Sequence, residues 1–188
     1  MENNNVKTLP QVGFVEATKN GFKNLFNFKG RIRRSEYWWF MSVVVTIWLV
    51  IVLLFWETAS FWHKPIKELQ NAEIILCLVS CVVFGVIPVL LSISSQVRRF
   101  HDIGKNSLLP VLAGVAWLSS VISFVALLAS EWIYIHEDLI PNDQVGIEVF
   151  MVLFFISIIM MFVILFYTVR DSDRDANKYG ASPKYIKD

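Results

Sequence analysis

The sequence predicts an all-α integral membrane protein, with four transmembrane helices in an antiparallel bundle, an N-terminal interfacial amphipathic helix and both termini cytoplasmic. Three observations predict this class: four long apolar stretches without Asp, Glu, Lys or Arg, Lys and Arg concentrated in alternate connecting segments, and helical amphipathic periodicity before the first stretch. With 55% hydrophobic residues and a mean hydropathy of +0.54 in 188 residues, the chain is too apolar for a soluble domain.

Each apolar stretch is 19 to 24 residues long. A helix rises about 1.5 Å per residue and the hydrocarbon core is about 30 Å thick, so about 20 residues span it. The chain therefore divides into a disordered tail, an amphipathic helix with a basic-aromatic motif, a membrane bundle and a cytoplasmic tail, at 1–11, 12–37, 38–169 and 170–188. The predicted spans are 38–56, 74–97, 107–130 and 149–169.

The distribution of cations predicts the topology. The N-terminal segment, the loop between the second and third spans, and the C-terminal tail hold 7, 3 and 5 Lys or Arg residues, which is 15 of the 17. Short cytoplasmic loops of membrane proteins carry this excess of cations. Both termini and the central loop are thus expected in the cytoplasm, and the other two loops outside.

The segment before the first span has one apolar and one polar helical face. The apolar arc contains Phe14, Val15, Thr18, Phe22, Leu25, Phe26 and Phe28, and the polar arc includes Lys19 and Lys23. Such a helix suits the cytoplasmic headgroup region. Packing as a cap beneath the bundle is an equal alternative, and Gly21 weakens the helix by about 1 kcal/mol relative to Ala.

A basic string meets aromatic residues where the first span begins. It runs Gly30-Arg31-Ile32-Arg33-Arg34-Ser35-Glu36-Tyr37-Trp38-Trp39-Phe40. Arginine offers a planar fork matched to phosphate, and Tyr and Trp favour the membrane interface. The string indicates either a specific phosphate or lipid-headgroup site or ordinary anchoring that sets the topology.

A second basic string, Arg98-Arg99-Phe100-His101-Asp102-Ile103-Gly104-Lys105, closes the second span. The short connection to the third span predicts a tight helical hairpin in which Gly104 supplies a positive φ. Asp102 is expected to pair with an arginine or to orient His101. A metal phosphohydrolase site is not expected, because the other histidines, His63 and His136, are predicted on the opposite side of the membrane.

The spans themselves contain no Asp, Glu, Lys, Arg or His, which argues against an intramembrane proton relay. The third span has a stripe of small residues suited to close helix contact, within the bundle or between copies of the chain. Its members are Ala113, Ala116, Ser120, Ser123, Ala126 and Ser130. Asp171, Asp173 and Asp175 have the spacing of a calcium loop but lack its later Gly and Glu, so no metal or cofactor is predicted.

The two basic strings, followed by Asn177-Lys178-Tyr179-Gly180 and Pro183, resemble domain-of-unknown-function family 805, a family of small bacterial inner-membrane proteins. The resemblance extends from about Phe14 to Pro183. The chain departs from the family pattern at Asn106-Ser107-Leu108-Leu109, where an aromatic anchor is usual, and in the Asp171 to Asp175 run. The resemblance implies a multi-pass protein of the bacterial plasma (inner) membrane and implies no known activity.

Three function classes follow. The favoured one is a membrane-organising or interaction protein whose cytoplasmic arginine and aromatic surface binds anionic lipid or a protein partner. The others are a small oligomeric transporter or channel, and an enzyme acting on a phosphorylated lipid. No catalytic residue and no nucleic-acid partner is predicted. The candidate ligand contacts are Arg31, Arg33, Arg34, Arg98, Arg99, His101 and Lys105. The expected structural motif residues are Gly30, Glu36, Tyr37, Trp38, Asp102, Gly104, Asn177, Tyr179, Gly180 and Pro183.

Overall fold

The structure is a computed structural model, and it describes residues 6–58, 71–136 and 144–187. The elements of this part are, in chain order, β1 (Val6–Thr8), α1 (Phe14–Lys23), α2 (Arg34–Thr58), α3 (Asn71–Asp102), α4 (Leu108–His136), α5 (Gln144–Thr168) and β2 (Tyr185–Lys187). The chain forms two compact units. Unit 1 comprises Met1–Val45, Leu90–Leu112 and Met161–Asp188, and unit 2 comprises Thr46–Val89 and Ala113–Met160.

Three helices of the described part are long and apolar enough to cross a membrane. Their crossing segments are Arg34–Leu53, Leu108–Leu127 and Val145–Thr168. They correspond to the first, third and fourth predicted spans. The second predicted span lies within the 32-residue helix α3, which is not one of the three. The two loops predicted outside the membrane fall partly at 59–70 and 137–143, which lie beyond the described residues.

The N-terminal segment differs from the predicted disordered tail. Strand β1 pairs antiparallel with β2, with Val6 opposite Lys187 and Thr8 opposite Tyr185. The amide of Leu9 extends the pairing by donating to the Lys184 carbonyl at 2.8 Å. Residues 1–5 lie outside the described part. This strand could not be predicted from the local composition, because its pairing partner is at the other end of the chain.

Helix α1 is shorter than the predicted amphipathic helix, because it ends at Lys23 and the chain then turns. It packs on the first turns of α2. The rings of Phe22 and Phe40 meet edge to face at 5.4 Å, and those of Phe14 and Trp39 at 5.6 Å. A Cβ atom on Gly21 would overlap the Phe40 ring, so the residue that weakens the helix is also the one that permits this contact.

The buried apolar side chains of the described residues lie in unit 1. Ile32, Phe40, Val97 and Phe100 are among them. Three serines of α3, Ser92, Ser94 and Ser95, are buried beside this core. Ser94 donates to the Asn24 carbonyl at 3.0 Å and Ser95 to the Ser92 carbonyl at 2.8 Å. The hydroxyls of Ser94 and Ser95 are therefore paired within the core of unit 1.

Unit 2 is held by helix contacts of a different kind. The indole of Trp117 in α4 donates to the Gly85 carbonyl at 2.8 Å, one turn before Pro88 in α3. This bond supplies a partner where proline weakens the backbone ladder of the helix. Ser120 of the small-residue stripe is buried and bonds within α4, whereas Ala126 is exposed. Many large apolar side chains of this unit are exposed, as a lipid-facing surface requires.

Candidate functional site

Two arginines and one aspartate form a buried centre in unit 1, which we call the arginine–aspartate cluster (Arg31, Arg99 and Asp102). Asp102 is the last residue of α3, and its Oδ1 accepts from Arg31 Nε at 3.1 Å. Its Oδ2 accepts from Arg99 Nη1. The Arg31 side chain is 1% exposed and those of Arg99 and Asp102 are 0% exposed. Burial of these charges is tolerable because they are paired and hydrogen-bonded.

Arg31 joins the segment before α2 to the C-terminal tail. Its Nη1 donates to the carbonyls of Asp175 at 2.9 Å and Gly180 at 3.1 Å. Its Nη2 donates to the carbonyls of Asp102 at 3.1 Å and Asp173 at 2.8 Å. Every nitrogen of the guanidinium is therefore engaged inside the protein.

Arg99 completes the end of α5. Its Nε donates to the carbonyl of Thr168 at 3.0 Å, and its Nη2 donates to the carbonyl of Arg170. The last carbonyls of a helix lack partners within the helix and carry the negative end of its dipole. A buried cation from α3 satisfies them here, and it fixes the end of α5 beside the end of α3.

His101 is held by the turn at Asn177-Lys178-Tyr179-Gly180. Its ring stacks on Tyr179 with centroids 3.7 Å apart, and its Nδ1 lies 3.2 Å from the Gly30 carbonyl. Asn177 Nδ2 donates to the His101 backbone carbonyl at 2.9 Å. Burial lowers the pKa of His101. The hydrogen bond with the Gly30 carbonyl acts to raise this pKa, and the positive charge of Lys178 acts to lower it further. A neutral ring then donates its Nδ1 proton to Gly30, while Asp102 pairs with the two arginines.

Arg98 is buried next to an acidic side chain. It is 7% exposed, and its Nε and Nη2 have no hydrogen-bond partner within the described part of the chain. Burial lowers the pKa of Arg98, and the charge of Glu36 raises it. Glu36 also accepts from Asn20 Nδ2 at 3.1 Å, which links α1 to α2. Arg98 thus contributes charge to the contact among α1, α2 and α3.

Arg33 and Arg34 lie at the start of α2 and differ from the buried cluster. Arg33 Nη1 donates to the carbonyls of Leu9 at 2.9 Å and Pro10 at 3.0 Å, and Arg34 Nη1 donates to the carbonyl of Val169 at 3.1 Å. These carbonyls orient the guanidiniums, and as neutral acceptors they do not offset the positive charge. The Arg34 residue is exposed, and so is Lys105.

The hairpin between α3 and α4 has the predicted glycine geometry. Gly104 has φ +69°, its amide donates to the His101 carbonyl at 3.2 Å, and the Lys105 amide donates to the Phe100 carbonyl at 2.9 Å. A left-handed residue closes a helix end in this way. Among the other motif residues, Tyr37 is buried, Trp38 is exposed, and Pro183 precedes the Lys184 carbonyl that pairs with the N-terminal segment.

The structure therefore brings the three sequence motifs together, although they are far apart in the chain. Arg31, Arg99, Asp102, His101 and the Asn177 turn hold the segments of unit 1 together. Sequence reasoning missed their partners, because most are backbone carbonyls of Thr168 to Gly180. It also missed Asp171, which binds Lys184 Nζ at 2.5 Å and Tyr185 Oη at 2.9 Å.

Comparison with known proteins supports the family resemblance of these motifs. A family model described as a protein of unknown function (DUF805) matches residues 25–181. The uncharacterized protein YiiR of Escherichia coli strain K12 is 31% identical over 108 residues, which cover 57% of this chain and 58% of YiiR. The inner membrane protein YhaH of the same strain is 29% identical over 103 residues, which cover 53% of this chain and 76% of YhaH.

The match thus spans less than two thirds of the length of YiiR. No solved structure matches the chain. The family model, in contrast, covers most of the chain and includes all three motifs. The chain belongs to the DUF805 family of proteins of unknown function.

Proposed function

We propose that this protein is a multi-pass inner-membrane protein that organises its surrounding membrane by binding anionic lipid through an arginine and aromatic surface. The observation that carries the proposal is a band of exposed apolar side chains on α1, the turn after it and the start of α2. We call it the interfacial belt, and it consists of Phe14, Val15, Phe22, Phe26, Phe28, Trp38 and Trp39.

The interfacial belt is a surface held by packing. Val15 is 78% exposed and Phe26 is 80% exposed, yet α1 is fixed to α2 by the close approach of Gly21 to Phe40. Exposed aromatic and aliphatic side chains at the start of a membrane-crossing helix suit the boundary between headgroups and acyl chains. The crossing segment of α2 begins at Arg34, next to Trp38 and Trp39.

The charges beside the interfacial belt support an anionic lipid. Lys19, Lys23 and Lys29 are exposed on α1 and the following segment, and Arg34 is exposed at the start of α2. Each cation near an anionic leaflet contributes about 1 kcal/mol of attraction. The apolar residues anchor the surface while the cations select the headgroup charge.

A topological constraint supports a fourth crossing by α3 and supports both termini on one side. Strands β1 and β2, near opposite ends of the chain, are hydrogen-bonded to each other. Three crossings would leave these strands on opposite faces of a membrane. A return crossing by α3 would resolve this conflict, and the cation distribution supports a cytoplasmic position for both termini. The similarity to YhaH, an inner membrane protein, supports an inner-membrane location.

The experiment compares hydrogen exchange of α1 in the full-length protein reconstituted in two kinds of nanodisc. One contains phosphatidylcholine alone and the other also contains phosphatidylglycerol. We expect the α1 amides to exchange more slowly with the anionic lipid, and the difference to shrink in high salt because the attraction is screened. The triple variant K19Q/K23Q/K29Q should lose the difference.

The matched control is Lys105→Gln, which removes an exposed cation from the hairpin between α3 and α4 and should keep the difference. Exchange of α1 that ignores lipid charge and salt would contradict lipid binding. In that case the exposed belt would serve a protein partner or only anchor the chain.

A further inference from the structure

A small cleft in unit 1 lies where the N-terminal segment, the start of α2 and the C-terminal tail meet. It has a volume of about 50 Å³ and is lined by Gln11, Arg33, Arg34, Ser35, Asp171 and Lys184. A cavity needs about 10 to 15 Å³ per water molecule, so the cleft admits a few waters or one small group. It is too small for a whole lipid or nucleotide.

The lining carries excess positive charge. Arg33, Arg34 and Lys184 contribute three cations against the single carboxylate of Asp171. Arg33 is 7% exposed, and backbone carbonyls hold both arginines in position. Oriented guanidiniums bind phosphate oxygens at little further cost in side-chain entropy.

The lining includes a buried hydroxyl, that of Ser35. Ser35 Oγ is buried and has no hydrogen-bond partner in the described part of the chain. An unsatisfied buried polar group costs about 1–3 kcal/mol, which selection for stability alone would not favour. A ligand oxygen in the cleft would accept from this hydroxyl and remove the cost.

The backbone adds to the attraction for anions. Arg34 and Ser35 are the first residues of α2, a helix of 25 residues. The first amides of a helix lack partners within the helix and lie at the positive end of its dipole, where phosphates bind. Charge, hydroxyl and helix end therefore favour the same kind of ligand.

Asp171 limits which anions bind. Burial acts to raise the pKa of Asp171. The hydrogen bonds from Lys184, Tyr185 and the Ser172 amide outweigh burial and lower this pKa to about 2. The carboxylate is thus ionised at neutral pH and holds Lys184 against the cleft at 2.5 Å. A bound anion must attract the cations more strongly than Asp171 repels it, which favours a phosphate over a weaker acceptor.

We propose that this cleft binds a phosphate group, with Arg33, Arg34 and Ser35 as its donors and Lys184 as a further cation. A lipid source for this phosphate rests on the proposed function. The interfacial belt would contact the membrane surface, and the cleft would bind the phosphate of one lipid headgroup. A free phosphate ion has the same chemistry and is the alternative source.

The test measures ligand binding to the purified full-length protein in detergent, with Ser35→Ala and Arg34→Gln as separate variants. The control is Lys105→Gln, because Lys105, although a candidate contact in the sequence, is not among the residues that line the cleft. The probes are phosphatidylglycerol in mixed micelles, phosphatidylcholine in mixed micelles, and inorganic phosphate against chloride at equal ionic strength. Each of the two cleft variants should weaken phosphate-dependent binding about tenfold, because each removes one charge-assisted hydrogen bond. The control should bind as the wild type does.

Binding of phosphatidylglycerol alone, with this variant pattern, supports a headgroup phosphate, and binding of inorganic phosphate with the same pattern supports a free ion. Unchanged binding of both probes in Ser35→Ala and Arg34→Gln overturns the proposal. Without ligand, Ser35→Ala should be at least as stable as the wild type, because it removes an unsatisfied hydroxyl, so a loss of binding would not reflect misfolding.

The phosphate site and the proposed function can be disproved separately. If K19Q/K23Q/K29Q abolishes the lipid response of α1 while the cleft variants bind normally, the cleft proposal is wrong and the proposed function stands. If α1 ignores lipid charge while the cleft variants still lose inorganic phosphate, the proposed function is wrong and the phosphate site stands.

Discussion

At the scale of single residues, the arginines of two similar basic strings have different roles. Arg31 and Arg99 are buried and satisfied by Asp102 and by backbone carbonyls. Arg33 and Arg34 are held by carbonyls without loss of charge and line the cleft at the start of α2. The distinction depends on where the acceptors lie, and Asp102 supplies the carboxylate for the first pair.

Asp102 tests the role of the arginine–aspartate cluster. We expect Asp102→Asn to destabilise the protein by about 3–5 kcal/mol, because it leaves two buried guanidiniums without their counter-charge. Thermal unfolding of the purified full-length protein, followed by tryptophan fluorescence, measures the change.

The matched control for this substitution is Asp171→Asn, which removes a carboxylate whose side chain is 47% exposed in its pair with Lys184. An exposed pair contributes about 0–1 kcal/mol, so the control should have a small effect. Equal effects of the two substitutions would mean that the cluster does not hold unit 1 together.

At the scale of elements, α1 depends on one glycine for its contact with α2. A Cβ at Gly21 would overlap the Phe40 ring, whereas one at Gly13, just before α1, would have no neighbouring atom within 4 Å. We expect Gly21→Ala to weaken docking of α1 by about 1–3 kcal/mol through overpacking, despite the higher helix propensity of alanine.

Limited proteolysis at Lys19 and Lys23 measures the release of α1. Gly21→Ala should be cleaved faster than the wild type, and Gly13→Ala should be cleaved at the wild-type rate. Equal cleavage of all three proteins would show that α1 does not rely on this close approach.

At the scale of the whole molecule, the pairing of β1 with β2 supports our proposal of an even number of crossings. Alkaline phosphatase, which is active only outside the cytoplasm, is fused after residues 65, 106, 140 and 188. We expect activity at 65 and 140 and none at 106 and 188, with a fluorescent-protein fusion at 188 as the positive control for a cytoplasmic end. Activity at 106 would mean that α3 does not return the chain across the membrane.

Local patterns in the sequence were sufficient for the helices of the membrane region. Spans α2, α4 and α5 follow from apolar length, and the positive φ of Gly104 follows from the short hairpin. The end of α1 at Lys23 was less predictable from the sequence, because the helix packs through Gly21 against Phe40 of another helix. The strand at Val6–Thr8 was not predicted, since its hydrogen bonds go to Tyr185–Lys187.

The sequence by itself determined the membrane class, the candidate crossings and the family, because hydropathy and motifs are read along the chain. Only the tertiary structure decided which arginines pair with Asp102 and which line a cleft. That outcome depends on carbonyls of Leu9, Thr168, Val169 and Gly180, which every residue type possesses and no sequence pattern marks. Within the described residues, the same fold leaves the Ser35 hydroxyl buried without a hydrogen-bond partner, and this supports the proposed ligand at the start of α2.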